Sequence, residues 1–262
     1  MPEDRHEAEA HFVCRCHGHG RWGRHGGRDH GDRPGVRGGP RTARFRSRPA
    51  RGRGLRVASA CGCHDRSMPS ASLLAARAAL HAHLQRHFPE QVIDELPGVD
   101  GPIAERVPGF RVFRIHPREP GGWWVYVTSG CWAATQEGGH GAEFFLAAPR
   151  DDWLNRESLT VNAYYHCGPD HQRLDVGHTV PIGRPWLDDS ACDHYLISLP
   201  YPYGPDFEVC TWDETDHVRL LWLLPITKAE KDHRHEHGLE ALESLFDERE
   251  IDPVAPYRSS VV

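Results

Sequence analysis

From about residue 68 the pattern of apolar and polar positions becomes that of a folded protein. An Ala- and Leu-rich stretch predicts a helix that Ser70 or Ser72 caps and that ends near His87. Short apolar segments rich in aromatic and β-branched residues, bounded by Pro and Gly, predict strands. The predicted strands are Phe110–Ile115, Trp123–Thr128, Glu143–Leu146, His178–Val180, Tyr195–Leu199, Phe207–Thr211 and Val218–Leu224.

The segment Val218–Leu224 is almost entirely apolar. Such a pattern is typical of a strand that is buried on both faces near the centre of a sheet, and we expect Pro225 to end it. Strands in succession, with helices at both ends of the domain, indicate an α+β sheet sandwich.

Two further helices are indicated by their start signals. The pair Asp151-Asp152 can cap a helix that runs from Trp153 to about Tyr165. Thr227 and Glu230 have the spacing of a capping box, in which the hydroxyl and the carboxylate each accept a backbone N–H. We expect this box to open one helix that carries an apolar face as far as Phe246.

The first 67 residues differ from the rest of the chain in composition. They hold 15 Arg, no Lys and 7 acidic residues, a net charge of +8, whereas the remainder holds 16 basic and 30 acidic residues, a net charge of -14. So few apolar side chains cannot offset a backbone ordering cost of roughly 1–2 kcal/mol per residue. We predict a disordered Arg/Gly-rich leader at 1–67 and a domain at 68–262. The leader is either a nucleic-acid-binding arm or an extension upstream of a native start at Met68.

Location and redox state follow from what the sequence lacks. No stretch approaches the roughly 18 consecutive apolar residues of a membrane helix, and the first residues do not form a secretory signal. The cysteines of the domain lie far apart and do not suggest a disulfide scaffold. We therefore expect a cytoplasmic protein with reduced thiols.

The sequence carries no signature of a common catalytic site. It has no nucleophile elbow, no P-loop and no dinucleotide fingerprint, and we interpret Gly138–Gly141 as a hairpin turn. We predict no catalytic residue, no cofactor and no metal site. The alternative is a metal-dependent hydrolase that uses His178, His194 or the pair His233 and His237, which shares one helix face.

The remaining candidates for function are acidic and aromatic side chains. The segment Pro200–Pro205 predicts a rigid loop that presents two tyrosines to a partner protein. Acidic clusters would attract a basic partner and raise its association rate. The predicted partner-binding residues are Asp188, Asp189, Tyr201, Tyr203, Asp213, Glu214 and Asp216.

Several short segments follow one another in a recognisable order. They are Trp124–Gly130, Glu143–Leu146, Gly177-His178, Leu196–Pro200, Leu223–Glu230, Gly238–Leu242 and Arg258–Val261. Their order over Gly98 to Val262 resembles that of the suppressor-of-fused domain family in its bacterial form.

This resemblance implies an α+β fold with a mixed, mostly antiparallel β-sheet flanked by helices, and no enzymatic activity. In the animal member of the family the domain binds a transcription factor peptide as an added strand. Bacterial members resemble immunity proteins of polymorphic toxin–antitoxin systems. The resemblance therefore implies a protein partner, such as a basic toxin, that the chain neutralises by direct binding.

Overall fold

In the computed structural model the described residues are 71–135, 141–169, 172–188, 190–212 and 216–262. The helices in this part of the chain are Ala71–His87 (α1), Pro102–Arg106 (α2), Cys131–Thr135 (α3), Trp153–His166 (α4), Pro205–Glu208 (α5), Lys228–His237 (α6) and Leu239–Glu248 (α7). The strands are Ile93–Glu95 (β1), Arg111–Ile115 (β2), Trp124–Ser129 (β3), Ala142–Ala148 (β4), Thr179–Pro181 (β5), Cys192–Ser198 (β6), Val209–Thr211 (β7) and His217–Thr227 (β8).

The eight strands form one sheet in the order β1-β2-β3-β4-β8-β6-β5, and β7 pairs with the start of β8. Strand β4 runs parallel to β8, and the other pairs of neighbouring strands are antiparallel. This confirms the expected mixed, mostly antiparallel sheet of an α+β fold.

Helices pack on both faces of the sheet because side chains alternate along each strand. On β4, Phe144 belongs to the apolar core that contains Leu159 of α4. The next residue, Phe145, belongs to the second core, with Leu84 of α1 and Phe246 of α7. The flanking helices that the resemblance implied are therefore present on both faces.

Strand β8 lies at the centre of the sheet, as its apolar composition predicted. The prediction that Pro225 ends this strand is wrong, because β8 continues to Thr227. The backbone hydrogen bonds between β5 and β6 show which residues of β6 point toward β8. In the register of β6 with β8, these residues lie opposite Trp222 and Leu224, whose amides therefore point toward β6. The missing N–H of Pro225 therefore faces the β4 side, where the ladder has already ended at Trp222.

The capping box at the start of α6 is confirmed. The Thr227 hydroxyl accepts from the Glu230 amide at 3.2 Å, and the Glu230 carboxylate accepts from the Thr227 amide at 2.8 Å. The single long helix expected after it is wrong, because the chain breaks at Gly238 into α6 and α7. Gly238 has a φ of 93°, which a helix interior does not allow and which glycine adopts without strain.

The helix predicted from Trp153 is confirmed as α4, and the Asp152 side chain caps it by accepting from the Leu154 amide at 3.0 Å. Phe207 was placed in a strand and lies instead in α5, because Pro205 fits the first turn of a helix and the strand begins only at Val209. The short elements β1, α2 and α3 were not predicted. None of the helices in the described ranges is long and apolar enough to cross a bilayer.

The predicted leader at 1–67 lies outside the described residues, as does most of the predicted turn at Gly138–Gly141. These two interpretations stay predictions.

Candidate functional site

The structure places those predicted partner-binding residues that it describes at separate points of the fold. Asp189, Asp213 and Glu214 lie outside the described residues. The exposed Asp188 accepts from Arg150, which follows the end of β4. Asp216 directly precedes β8.

Because β4 and β8 are parallel, the end of β4 and the start of β8 lie at opposite ends of the sheet. The 11 residues of β8 span roughly 35 Å at about 3.3 Å per residue. Asp188 and Asp216 therefore do not belong to one acidic patch.

The two tyrosines of the predicted loop are half-buried and not fully presented to solvent. Tyr203 packs against the second core, with ring centroids 4.9 Å from Phe207, 5.3 Å from Phe88 and 5.7 Å from Phe145. Tyr201 lies at the other end of the same 3₁₀ turn and borders a pocket.

This pocket has a volume of about 220 Å³ and combines aromatic walls with carboxylates. Trp222 of β8, Phe246 of α7 and Tyr201 supply the aromatic side chains. Asp247 and Glu250 supply the carboxylates. We call these five residues the acidic pocket, and they are our candidate functional site.

The end of α7 forms the acidic side of the pocket. Phe246 and Leu242 are buried and fix the helix on the sheet. The helix ends at Glu248, and Glu250 has a φ of 47°, a left-handed backbone that is uncommon outside glycine. The Ile251 amide then donates to the Phe246 carbonyl at 3.3 Å, so the chain turns back beside the pocket.

A third carboxyl group stands at the rim of the acidic pocket. Glu243 lies one turn before Asp247 on α7 and accepts a hydrogen bond from the Tyr201 hydroxyl at 3.4 Å. Burial, helped by the charges of Asp247 and Glu240, raises the pKa of Glu243 to about 7. Burial and the neighbouring Glu243 also raise the pKa of Tyr201.

No counter-charge within the described ranges pairs with Glu243 or Glu250. The guanidinium of Arg258 lies 5.6 Å from the Phe246 ring, but Glu230 holds it with both carboxylate oxygens. Glu250 therefore brings to the pocket a carboxylate that has no ion pair within the described ranges.

A second surface feature lies on α4. Trp153, Val161 and Tyr165 are exposed by 70%, 57% and 41%. Their spacing of four and eight residues places them on one side of the helix, opposite the buried Leu159 and Ala163. Exposed aromatic side chains of this kind are typical of protein-binding surfaces.

The histidines of the alternative hypothesis do not converge on one point. The rings of His233 and His237 lie 4.4 Å apart on α6. His178 accepts from the Asp175 amide at 3.2 Å, and His194 contacts Asp193 at 2.7 Å. Among the described residues, no group of three or more His, Cys, Asp or Glu side chains could hold a metal ion. This part of the structure gives the hydrolase hypothesis no support.

Of the residues of the acidic pocket, sequence reasoning found only Tyr201. Trp222 was interpreted as part of a central strand, and the acids of α7 resembled an ordinary solvated helix face. The pocket joins the 3₁₀ turn, β8 and α7, which are separated along the chain. No local signal could have identified it.

Comparison with known proteins places this geometry in a family. The model described as "Suppressor of fused protein (SUFU)" matches residues 106–259. A suppressor of fused homologue from Neisseria gonorrhoeae, known from a crystal structure, is 36% identical with a TM-score of 0.64. That match covers 72% of this chain and 98% of the homologue.

More distant structures share less. Drosophila Suppressor of Fused is 14% identical with a TM-score of 0.55, over 71% of this chain and 51% of that protein, which shows likeness of fold alone. One chain of a Sufu–Fu complex is 12% identical with a TM-score of 0.49, over 71% of this chain and 92% of that one. The comparison with curated proteins returned no match.

Proposed function

The chain belongs to the suppressor of fused family, and from this we propose that it acts by binding another protein and not by catalysis. We further propose an immunity-type role, in which the chain neutralises a basic partner, such as a toxin, by direct contact. The observation that carries the proposal is the acidic pocket, because the carboxylates of Asp247 and Glu250 line it and suit a cationic protein surface.

The charge of the chain supports a basic partner. Residues 68–262 carry a net charge of -14, so a cationic protein would be attracted before contact. Such long-range attraction raises the association rate and selects among partners more than it raises affinity. An inhibitor that must capture its target quickly benefits from this property.

The exposed side of α4 supports the same proposal independently of charge. Trp153 leaves 70% of its surface in contact with solvent, and Val161 and Tyr165 extend the apolar area along the helix. Large aromatic side chains contribute disproportionately to binding energy when a partner covers them. The two features together offer an electrostatic and an apolar contact.

The first experiment is affinity purification of the full-length chain from its native host under gentle lysis. We expect a stoichiometric complex with one basic protein, measured by size-exclusion chromatography and mass spectrometry. Expression of that partner alone should slow growth, and co-expression of the chain should restore it. A chain that purifies as a clean monomer, or a partner whose activity persists in the complex, would contradict the proposal.

The second experiment links the complex to the candidate site. The double variant Asp247→Asn with Glu250→Gln removes two negative charges with little change in side-chain volume. The matched control is Glu236→Gln, an exposed acid on α6 that does not border the pocket. We expect the double variant to weaken the complex at least tenfold and the control to leave its affinity unchanged.

A further inference from the structure

The end of α1 is joined to α5 through a buried histidine. His83 is 2% exposed, and its Nε2 lies 3.1 Å from the carbonyl oxygen of Phe207. Its Nδ1 lies 3.2 Å from Nη2 of Arg86, which follows about one turn later on α1. We propose that this contact is a pH-sensitive switch, in which protonation of His83 in mildly acidic solution loosens α1 from α5.

The two contacts of His83 require a neutral ring. A carbonyl oxygen only accepts hydrogen bonds, and a guanidinium only donates them. His83 therefore carries its proton on Nε2, donates it to Phe207 and accepts from Arg86 at Nδ1. A second proton would lie on Nδ1, where it would point at the N–H of Arg86 and bring two positive charges together. Protonation therefore removes the contact with Arg86 and puts a repulsion in its place.

His87 lies one turn after His83 and strengthens this effect. The two rings are 4.6 Å apart, and the His87 ring meets Phe207 edge-on at 5.1 Å. Burial lowers the pKa of both histidines, and the charge of Arg86 acts in the same direction. A proton on one ring would also repel a proton on the other. Helix α1 thus contacts α5 through two rings that are uncharged at neutral pH.

The acids of α5 do not reverse this balance. Asp206 favours a proton on His87, but it is exposed to solvent and its effect is smaller than that of burial. Glu208 accepts from Arg219 at 2.9 Å, so its charge is already paired. Among the described residues, the polar partners of His83 are the Phe207 carbonyl and Arg86 and not these carboxylates.

Two other ionisable groups are packed against this region, Cys210 of β7 and Tyr203 of the 3₁₀ turn. The Tyr203 ring lies 4.9 Å from the Phe207 ring, and Arg86 is close enough to Cys210 to favour its thiolate. Burial nevertheless raises the pKa of Cys210 to about 11 and also raises the pKa of Tyr203. Both groups are therefore uncharged in mildly acidic solution, and neither offsets a positive charge on His83.

The direction and size of the switch follow from proton binding. With its pKa below 6.5, His83 binds fewer protons in the closed state than in an opened helix, so opening becomes more favourable as pH falls below about 6.5. From pH 7.5 to pH 5.5 the opened population can rise at most about tenfold for each histidine. Leu80 and Leu84 still hold α1 in the second core, so acid loosens the helix without releasing it.

Hydrogen exchange tests the switch on the full-length chain. Amide protection is measured by mass spectrometry at pH 7.5 and pH 5.5 and corrected for the intrinsic exchange rate at each pH. We expect the protection of α1 to fall about three- to tenfold at the lower pH, relative to the protection of the central strand β8. Protection that changes equally in α1 and β8, or that does not change, would overturn the inference.

Variants assign the effect to one residue. His83→Gln keeps an N–H donor for the Phe207 carbonyl and cannot be protonated, so we expect the fall in α1 protection to shrink below about twofold. His81→Gln is the matched control, because His81 lies on the same helix but contacts Phe113, with ring centroids 5.4 Å apart. It should respond to pH as the parent chain does. A parent-like response of His83→Gln would contradict the assignment.

A measurement on the parent chain keeps the test decisive if His83→Gln does not fold. Long-range ¹H–¹⁵N NMR correlations of the imidazole ring report which nitrogen of His83 carries the proton. We expect the proton on Nε2 at pH 7.5. A proton on Nδ1, or a charged ring at that pH, would overturn the inference. Neither experiment needs a partner protein, so failure of the switch leaves the proposed binding function untouched.

Discussion

Arg258 donates to both carboxylate oxygens of Glu230, at 2.5 Å and 2.8 Å, and the two side chains are 7% and 0% exposed. Glu230 also accepts from the amides of Thr227 and Val261 at 2.8 Å and 3.1 Å. One buried carboxylate therefore joins the start of α6 to the C-terminal segment of the chain.

Removing the cation from this pair should destabilise the fold. We expect Arg258→Met to lower the free energy of unfolding by about 3–5 kcal/mol, because the carboxyl group of Glu230 would be left buried without its partner. Urea denaturation measures the change. Arg249→Met, an exposed arginine at the end of α7, is the control and should change stability by less than about 0.5 kcal/mol. A loss below about 1 kcal/mol for Arg258→Met would contradict the prediction.

The rim of the acidic pocket should make stability depend on pH. The pKa of Glu243 is about 7 in the fold against 4.5 in the unfolded chain, so the folded state binds more protons between these values. Ionisation of this group therefore lowers stability as pH rises from about 4.5 to 7. Glu243→Gln cannot ionise, so we expect it to be more stable than the parent at pH 8.

The size of this gain should be on the order of 1 kcal/mol, because Glu243 is partly exposed and solvent screens its charge. Urea denaturation at pH 5 and pH 8 measures it, with Glu236→Gln as the matched control. The gain should shrink at pH 5, where the folded carboxyl group is already protonated. A gain that is equal at both pH values would show that the effect is not electrostatic.

Two glycines with left-handed backbone should respond differently to alanine. A Cβ at Gly130 would lie 3.2 Å from Val107 Cγ1 and 3.3 Å from Phe110 Cα, whereas none of the described atoms lies within 4 Å of a Cβ at Gly183. We expect Gly130→Ala to cost about 2–3 kcal/mol, and Gly183→Ala only the backbone penalty of about 1 kcal/mol. Thermal or urea denaturation measures both, and equal losses would contradict the role of packing at Gly130.

The exposed side of α4 should affect binding without affecting stability. Trp153→Ser removes an aromatic side chain that is 70% exposed, so we expect the free energy of unfolding to change by less than about 0.5 kcal/mol. Affinity for the recovered partner should fall at least fivefold if this helix contacts it. Val92→Ser, at another exposed apolar position, is the control for a general change in surface polarity. Unchanged affinity would remove α4 from the proposed interface.

The elements that sequence reasoning recovered are those whose signals are local. The Ala- and Leu-rich composition of α1 and the capping pattern of Thr227 and Glu230 each involve residues within a short stretch of the chain. The apolar composition of β8 predicted its central place for a similar reason, since a strand buried on both faces needs apolar side chains on both. The prediction at Pro225 was wrong because whether a proline ends a strand depends on which neighbouring strand its missing N–H would face, and the sequence nearby does not give that information.

The sequence by itself determined the order of the longer strands and helices, the acidity of residues 68–262 and the likeness to a family, because these depend on residue types and their spacing. Tertiary structure decided which carboxylates meet which aromatic rings. Tyr201, Trp222 and Glu250 come from three segments that only the pairing of β6 with β8 and the packing of α7 bring to one pocket. Contacts between segments so far apart in the chain are formed by folding, and no pattern along the sequence records them.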